Sequence, residues 1–216
     1  MTAPRALVAA RFRPARWLGS GGLALASVVA LAAITPAPVR AAVSFSTAPN
    51  VPNLPSVTLN AQAKTVNATM ANWGVSQTSA QSGWNVTVQG DASAGKSPVF
   101  KVYCPNTSCG TDTGPGYVTG GATLPANSLQ LNSTGAGWAT GTGTKPTHSC
   151  NSGCNVDASA PVKVASATTA VGLTTWTTTT YSATSLALSV PTTIRTPTQS
   201  GEVYRLDLVW TLNTGP

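Results

Sequence analysis

The run "YRLDLVWTLNT" sets Tyr204, Leu206, Leu208, Trp210 and Leu212 against Arg205, Asp207, Val209 and Thr211. Successive side chains of an extended backbone point to opposite faces, so a period of two keeps one face apolar only on a β-strand. The same period recurs along the chain. "GWNVTVQG" puts Trp84, Val86 and Val88 in phase, and "VFKVYC" does so for Phe100, Val102 and Cys104. "SLQL" pairs Leu129 with Leu131, "PVKV" pairs Val162 with Val164, and "SLALSV" aligns Leu186, Leu188 and Val190. "VTL" at 57–59 is expected to open the series. Gly, Pro, Asn and Ser separate the runs, and no segment beyond residue 41 carries sustained helical periodicity. Residues 168–180 hold eight threonines together with Trp176, with Tyr181 next to them, a composition that favours a strand over a glycosylated or disordered stalk. The pattern predicts an all-β fold, an antiparallel Ig-like β-sandwich with long loops.

The first 41 residues read differently. Arg5, Arg11, Arg13 and Arg16 precede an apolar stretch over 18–34, and "TPAPVRA" offers a small-residue cleavage site after Ala41. A membrane span needs about 20 apolar residues, and "GSGG" interrupts this one. A cleaved secretory signal peptide is expected over 1–41, leaving no stable membrane anchor. A Pro-rich extended segment follows at 42–55 and a single domain at 56–216. Of 12 basic residues the leader takes Arg40 and the four arginines above, so 7 remain against 5 acidic ones and +7 falls to +2. That balance, with no basic run, gives no reason to expect a nucleic-acid partner.

Catalytic groups are scarce in the mature region. Its acids are Asp91, Asp112, Asp157, Glu202 and Asp207, and His148 is its one histidine. The acids are scattered, whereas a glycosidase places two beside the scissile bond. Asp207 falls in the outward phase of its run and is expected at the surface. No G-x-S-x-G, H-E-x-x-H or P-loop spacing occurs, and "GTGTK" at 141–145 lacks the phosphate-cradling arrangement. A Ser/His/Asp site around His148 is the residual catalytic alternative. No enzyme activity, cofactor or metal is expected.

Two Gly-rich loops carry all four cysteines. Cys104 and Cys109, and Cys150 and Cys154, are spaced unlike common zinc knuckles, and export favours oxidised pairs. Three connectivities are open; close spacing favours a staple within each loop. Trp138, in "GAGWATGTG", has no surrounding strand period to bury it. It is a candidate for stacking on a glycan ring, with packing as a loop cover the alternative.

Three stretches together resemble the WxL-domain cell-surface proteins of Gram-positive bacteria: "NWGVSQTSAQSGWNVTVQGDAS", "TLPANSLQL" and the terminal "YRLDLVWTLNTGP". The resemblance covers about 66–216. It implies non-covalent attachment to the peptidoglycan of the cell wall, with both W-x-L elements required. These correspond here to Trp84 and Val86 and to Trp210 and Leu212. Val86 departs from the leucine usual there, and the cysteine loops lie outside the usual pattern. "LPANS" at 124–128 lacks the Thr-Gly of a sortase signal and any apolar tail, so covalent anchoring is not expected. The partners this implies are peptidoglycan or another wall glycan, and co-exported surface proteins. A structural subunit of a surface fibre or coat, or a secreted carbohydrate-binding module, are the rival readings.

Overall fold

In a computed structural model the described residues are 43–78, 83–168 and 174–215. The expected leader, residues 1–41, lies outside them. The described residues form an all-β fold of antiparallel sheets, with strands numbered β1 to β17 in chain order. One four-stranded sheet runs β1 (Val43–Thr47), β3 (Gly74–Gln77), β14 (Thr174–Thr179), β10 (Gly137–Ala139). A second runs β11 (Thr147–His148), β13 (Val162–Ala167), β4 (Trp84–Gly90), β17 (Leu208–Thr214). A third runs β12 (Cys154–Asn155), β9 (Leu129–Leu131), β15 (Leu186–Val190), β2 (Lys64–Ala68). A three-stranded sheet of β16 (Val203–Arg205), β5 (Lys101–Cys104) and β8 (Gly116–Tyr117) lies apart from these in the pairing order. The small ladder of β6 (Ser108–Cys109) and β7 (Asp112–Thr113) completes the set. This architecture is consistent with the expected sandwich.

The three four-stranded sheets feed one apolar core. Strand β4 is central to it. Trp84, Val86 and Val88 are fully buried while Asn85, Thr87 and Gln89 are half-buried, which is the expected alternation. On one side β17 pairs with β4 along its whole length, setting Leu212 opposite Val86 and Trp210 opposite Val88. On the other side β13 pairs with a register shift between Lys163 and Ala165. A bulge of this kind breaks the strict period, and here Val164 and Ala165, consecutive in sequence, are both buried. Gly141 is fixed by packing: a Cβ there would lie 2.0 Å from the Trp176 ring.

Several expectations are corrected. Residues 57–59 form no strand, and Val57 is exposed. Within the expected entry segment at 42–55, Val43–Thr47 is a paired strand, held against β3 with a register shift after Phe45. The threonine-rich stretch supplies β14, where Trp176 and Thr178 are buried; residues 169–173 lie outside the described set.

Asp207 is also corrected. It is buried, in the two-residue gap between β16 and β17. The long alternating run is therefore two strands in different sheets, since β16 pairs with β5 and β17 with β4. At that crossover the side-chain phase is free to slip, and the carboxylate turns inward. It accepts hydrogen bonds from the Tyr117 hydroxyl, from Arg205 at 3.0 Å, from Lys96 at 3.4 Å and from the Ser97 amide at 3.3 Å. Burial alone would raise its pKa. The donors from Tyr117, Ser97 and Arg205 outweigh that and hold it below the usual carboxylate range. Arg205 also lies over the Tyr103 ring at 4.6 Å, so a cation–π contact ties the same cluster to β5.

Candidate functional site

Two short strands at sheet edges bring the site together. Trp138 lies on β10, the outer strand of the first sheet, opposite Thr178 of β14. His148 lies on β11, the outer strand of the second sheet, opposite Ala165 of β13. Their rings stack, 4.7 Å between centroids with planes 17° apart. Trp138 also meets Trp73 edge-on at 5.3 Å and Trp84 at 5.9 Å. Trp73 in turn donates its indole N–H to the Tyr181 hydroxyl at 3.0 Å. This aromatic stack closes the gap between the two sheet edges.

Above it the chain forms an open depression of about 590 Å³, lined by residues 133–138, 145–148 and 151. Hydrogen bonds fix its two walls to each other. The Ser133 amide donates to the Cys150 carbonyl at 3.0 Å, and the Ser133 hydroxyl donates to Asn151 Oδ1 at 3.1 Å. The Thr134 hydroxyl donates to the Asn151 carbonyl, while the Asn151 amide donates back to the His148 carbonyl at 3.3 Å. A disulfide between Cys150 and Cys154 closes the far turn, and its second cysteine pairs with Leu131 on β9. The other disulfide joins Cys104 to Cys109. Both staples lie within their own loops, the pairing that close spacing favours. Loops this short contribute about 2 kcal/mol each in the chain-entropy account.

The expected site residues fall into three groups. Trp84 and Val86 are fully buried and present no surface to a ligand. Trp210 and Leu212 are half-buried and pack against the core. Trp138, expected as an exposed stacking platform or a loop cover, is only 8% exposed, with its ring covered by His148, Trp73 and Trp84. A flat sugar face has nothing to lie on there. Its isolation in the sequence was misleading because a three-residue strand is too short to display a period. Removing its side chain would open the core, so Trp138→Ala cannot leave melting unchanged.

His148 is a site residue that sequence reasoning carried only as a weak catalytic alternative. Its neighbours are the Trp138 and Tyr181 rings and the Gly137 backbone; among the described residues no carboxylate hydrogen-bonds the imidazole. The relay of a Ser/His/Asp site needs such an orienting carboxylate. Asp157 is occupied elsewhere, accepting the Ser128 amide at 2.8 Å, and burial raises its pKa against the pull of backbone donors. Among the described residues no group of His, Cys, Asp and Glu comes together that could hold a metal ion.

Burial lowers the His148 pKa from the ordinary histidine range, and the hydrogen bond to Gly137 offsets part of that shift. With the folded pKa below the unfolded one, the unfolded chain binds the proton first. This contribution to stability is complete above pH ~6.5 and is lost as pH falls toward the folded value. Thermal melts between pH 7.5 and 5 are expected to show stability falling on acidification, by at most about 1.4 kcal/mol per pH unit from this one group. His148→Phe should flatten that slope; an equal slope in the variant would assign it to another group.

Compared with family models, with curated proteins and with solved structures, the chain matches none.

Proposed function

We propose that this chain is a non-catalytic secreted surface protein that attaches non-covalently to the bacterial cell wall, holding peptidoglycan or another wall glycan through its folded surface. One observation carries the reading. The two W-x-aliphatic elements, far apart in sequence, are hydrogen-bonded neighbours, with Val86 facing Leu212 across one ladder. The resemblance to WxL domains implies that both elements are needed together, and adjacency supplies a physical reason for such a joint requirement. Their apolar residues build the sheet, so they support attachment indirectly. Contact with the wall falls to residues outside the two motifs. A mature-chain charge of about +2 adds weak attraction to anionic wall polymers, screened over about 10 Å at 0.1 M salt. The purified mature protein is expected to pellet with isolated cell walls. Recovery in the supernatant at low salt would count against the proposal.

A second reading, subunit of a surface fibre, draws on β17. This strand is the outer member of its sheet, carries no charged residue from Leu208 to Thr214, and exposes Val209. Natural edge strands are commonly guarded by charge, proline, a bulge or a covering element; β17 carries no charge or proline, though β1 runs close to part of it, and such an edge suits strand addition by a neighbour. Gel filtration separates the two: a stable monomer at high concentration disfavours the fibre.

A further inference from the structure

We propose that two copies of this chain join edge to edge through β17, in an antiparallel, two-fold symmetric strand pair centred on Thr211. The inference does not depend on the wall reading, and it gives the edge used by the fibre reading a closed partner.

The phase of the backbone comes first. The Asp91 amide donates to the Asp207 carbonyl at 2.9 Å, and the Gly215 amide donates to the Gly83 carbonyl at 2.6 Å. Both bonds lie on the register that joins β17 to β4, which runs without a shift from Leu208 to Thr214. Hydrogen-bonded pairs alternate along an antiparallel ladder, so Val209, Thr211 and Asn213 turn their backbone groups toward β4. Leu208, Trp210, Leu212 and Thr214 turn theirs outward. β1, a strand of the first sheet, runs close to part of β17 but forms no ladder with it. The outward row has no strand partner among the described residues.

This edge is also the least protected. β17 is the longest of the sheet-end strands among the described residues, at seven residues, and carries no charge, proline or bulge. By contrast β2 carries Lys64, β1 has a register shift, and the other end strands have three residues or fewer. Charge, bulges and shortness are devices that keep edges from pairing.

Self-complementarity selects a second copy as the partner. Two β17 strands set antiparallel about Thr211 place Leu208 opposite Thr214 and Trp210 opposite Leu212, so each outward backbone group meets another. Any other register leaves part of the strand unpaired. On the core side Trp210 and Leu212, half-buried in the single chain, cover each other across the axis. On the outer side Thr211 meets its own copy, and Val209, 36% exposed, meets Asn213. No like charges are brought together, and Thr–Thr is a favourable cross-strand pair. An isologous contact of this kind uses both edges at once, so the pair closes and does not propagate into a fibre.

The test is cysteine cross-linking of the mature protein under mild oxidation, read by non-reducing electrophoresis beside sedimentation velocity. Val209, Thr211 and Asn213 are exposed, so substitutions there spare the core, with circular dichroism as the check. Wild type is expected to exchange between monomer and dimer with concentration and to form nothing larger. Cα atoms of a non-hydrogen-bonded antiparallel pair lie about 4.5 Å apart, within disulfide reach, so Thr211→Cys should give a covalent dimer. Val209→Cys should not, because its own copy lies about 14 Å away along the partner strand; mixed with Asn213→Cys it should cross-link. Thr211→Lys sets two like charges on the axis and should weaken association about fivefold. A wild type that stays monomeric up to sub-millimolar concentration would overturn the proposal. Equal cross-linking of Thr211→Cys and Val209→Cys would do the same, as would oligomers that keep growing beyond two copies.

Discussion

Trp84→Ala is expected to lose about 3–5 kcal/mol of stability, a large share of a total that lies near 5–15 kcal/mol for a domain of this kind. The side chain is fully buried, sits opposite Ala167 on one neighbouring strand and Thr214 on the other, and meets the Trp138 ring edge-on. A buried tryptophan withdraws about 150–250 Å² from water, an upper bound of ~4–6 kcal/mol. The cavity left at the meeting point of two sheets has little room to collapse, because the surrounding strands are fixed by their ladders. Urea denaturation should show a large drop in midpoint, and an unchanged midpoint would place Trp84 outside the core. Trp84→Phe should cost less, since it keeps a ring in place and removes an indole nitrogen that has no partner among the described residues. Wall binding by Trp84→Ala should fall in proportion to the unfolded fraction. If the variant stays folded yet no longer pellets, Trp84 would instead be a contact residue.

Removal of β17 is expected to be as severe. Leu208–Thr214 covers the open side of β4 over seven paired residues, and Trp210 and Leu212 lie across from Val88 and Val86. The closure extends past the ladder: the Gly215 amide donates to the Gly83 carbonyl at 2.6 Å, and the Asn85 side chain donates to the Gly215 carbonyl at 2.9 Å. Without this strand the central apolar strand becomes an edge, with its backbone groups unpaired and Trp84, Val86 and Val88 uncovered on one side. The expected loss exceeds ~5 kcal/mol, comparable with the whole stability of such a domain. A chain lacking 208–216 should show no cooperative thermal transition and should aggregate through the exposed β4. A truncated chain that melts cooperatively and still pellets with walls would show that neither the fold nor attachment depends on this strand.

Where the strands are long, period two identified them: β4, β15 and β17 each carry enough residues for the alternation to be read, and the faces expected inward are the buried ones in β4 and β15 and the half-buried one in β17. For the cysteines, close spacing favoured a staple within each loop but left three connectivities open, and the structure closes both local pairs. Failure came where an element is short or its burial comes from afar. Trp138 sits on a three-residue strand, and the rings that cover it come from positions 73, 84 and 148. Asp207 looked solvent-facing because its run was read as one strand, when the chain crosses there between sheets and finds Tyr117 and Lys96 waiting. The depression over Trp138 and His148 had only an indirect signal, the glycines and cysteines that bracket it.

By itself the amino-acid order determined the class of the fold and the faces of its longer strands, because each of these depends on side chains a few residues apart; it favoured local cysteine pairs without fixing them. Which sheet edges meet, what lies beneath Trp138 and where a buried nitrogen lacks a partner were decided only in three dimensions. Those features arise between residues tens of positions apart, and no local periodicity encodes a distance across the core.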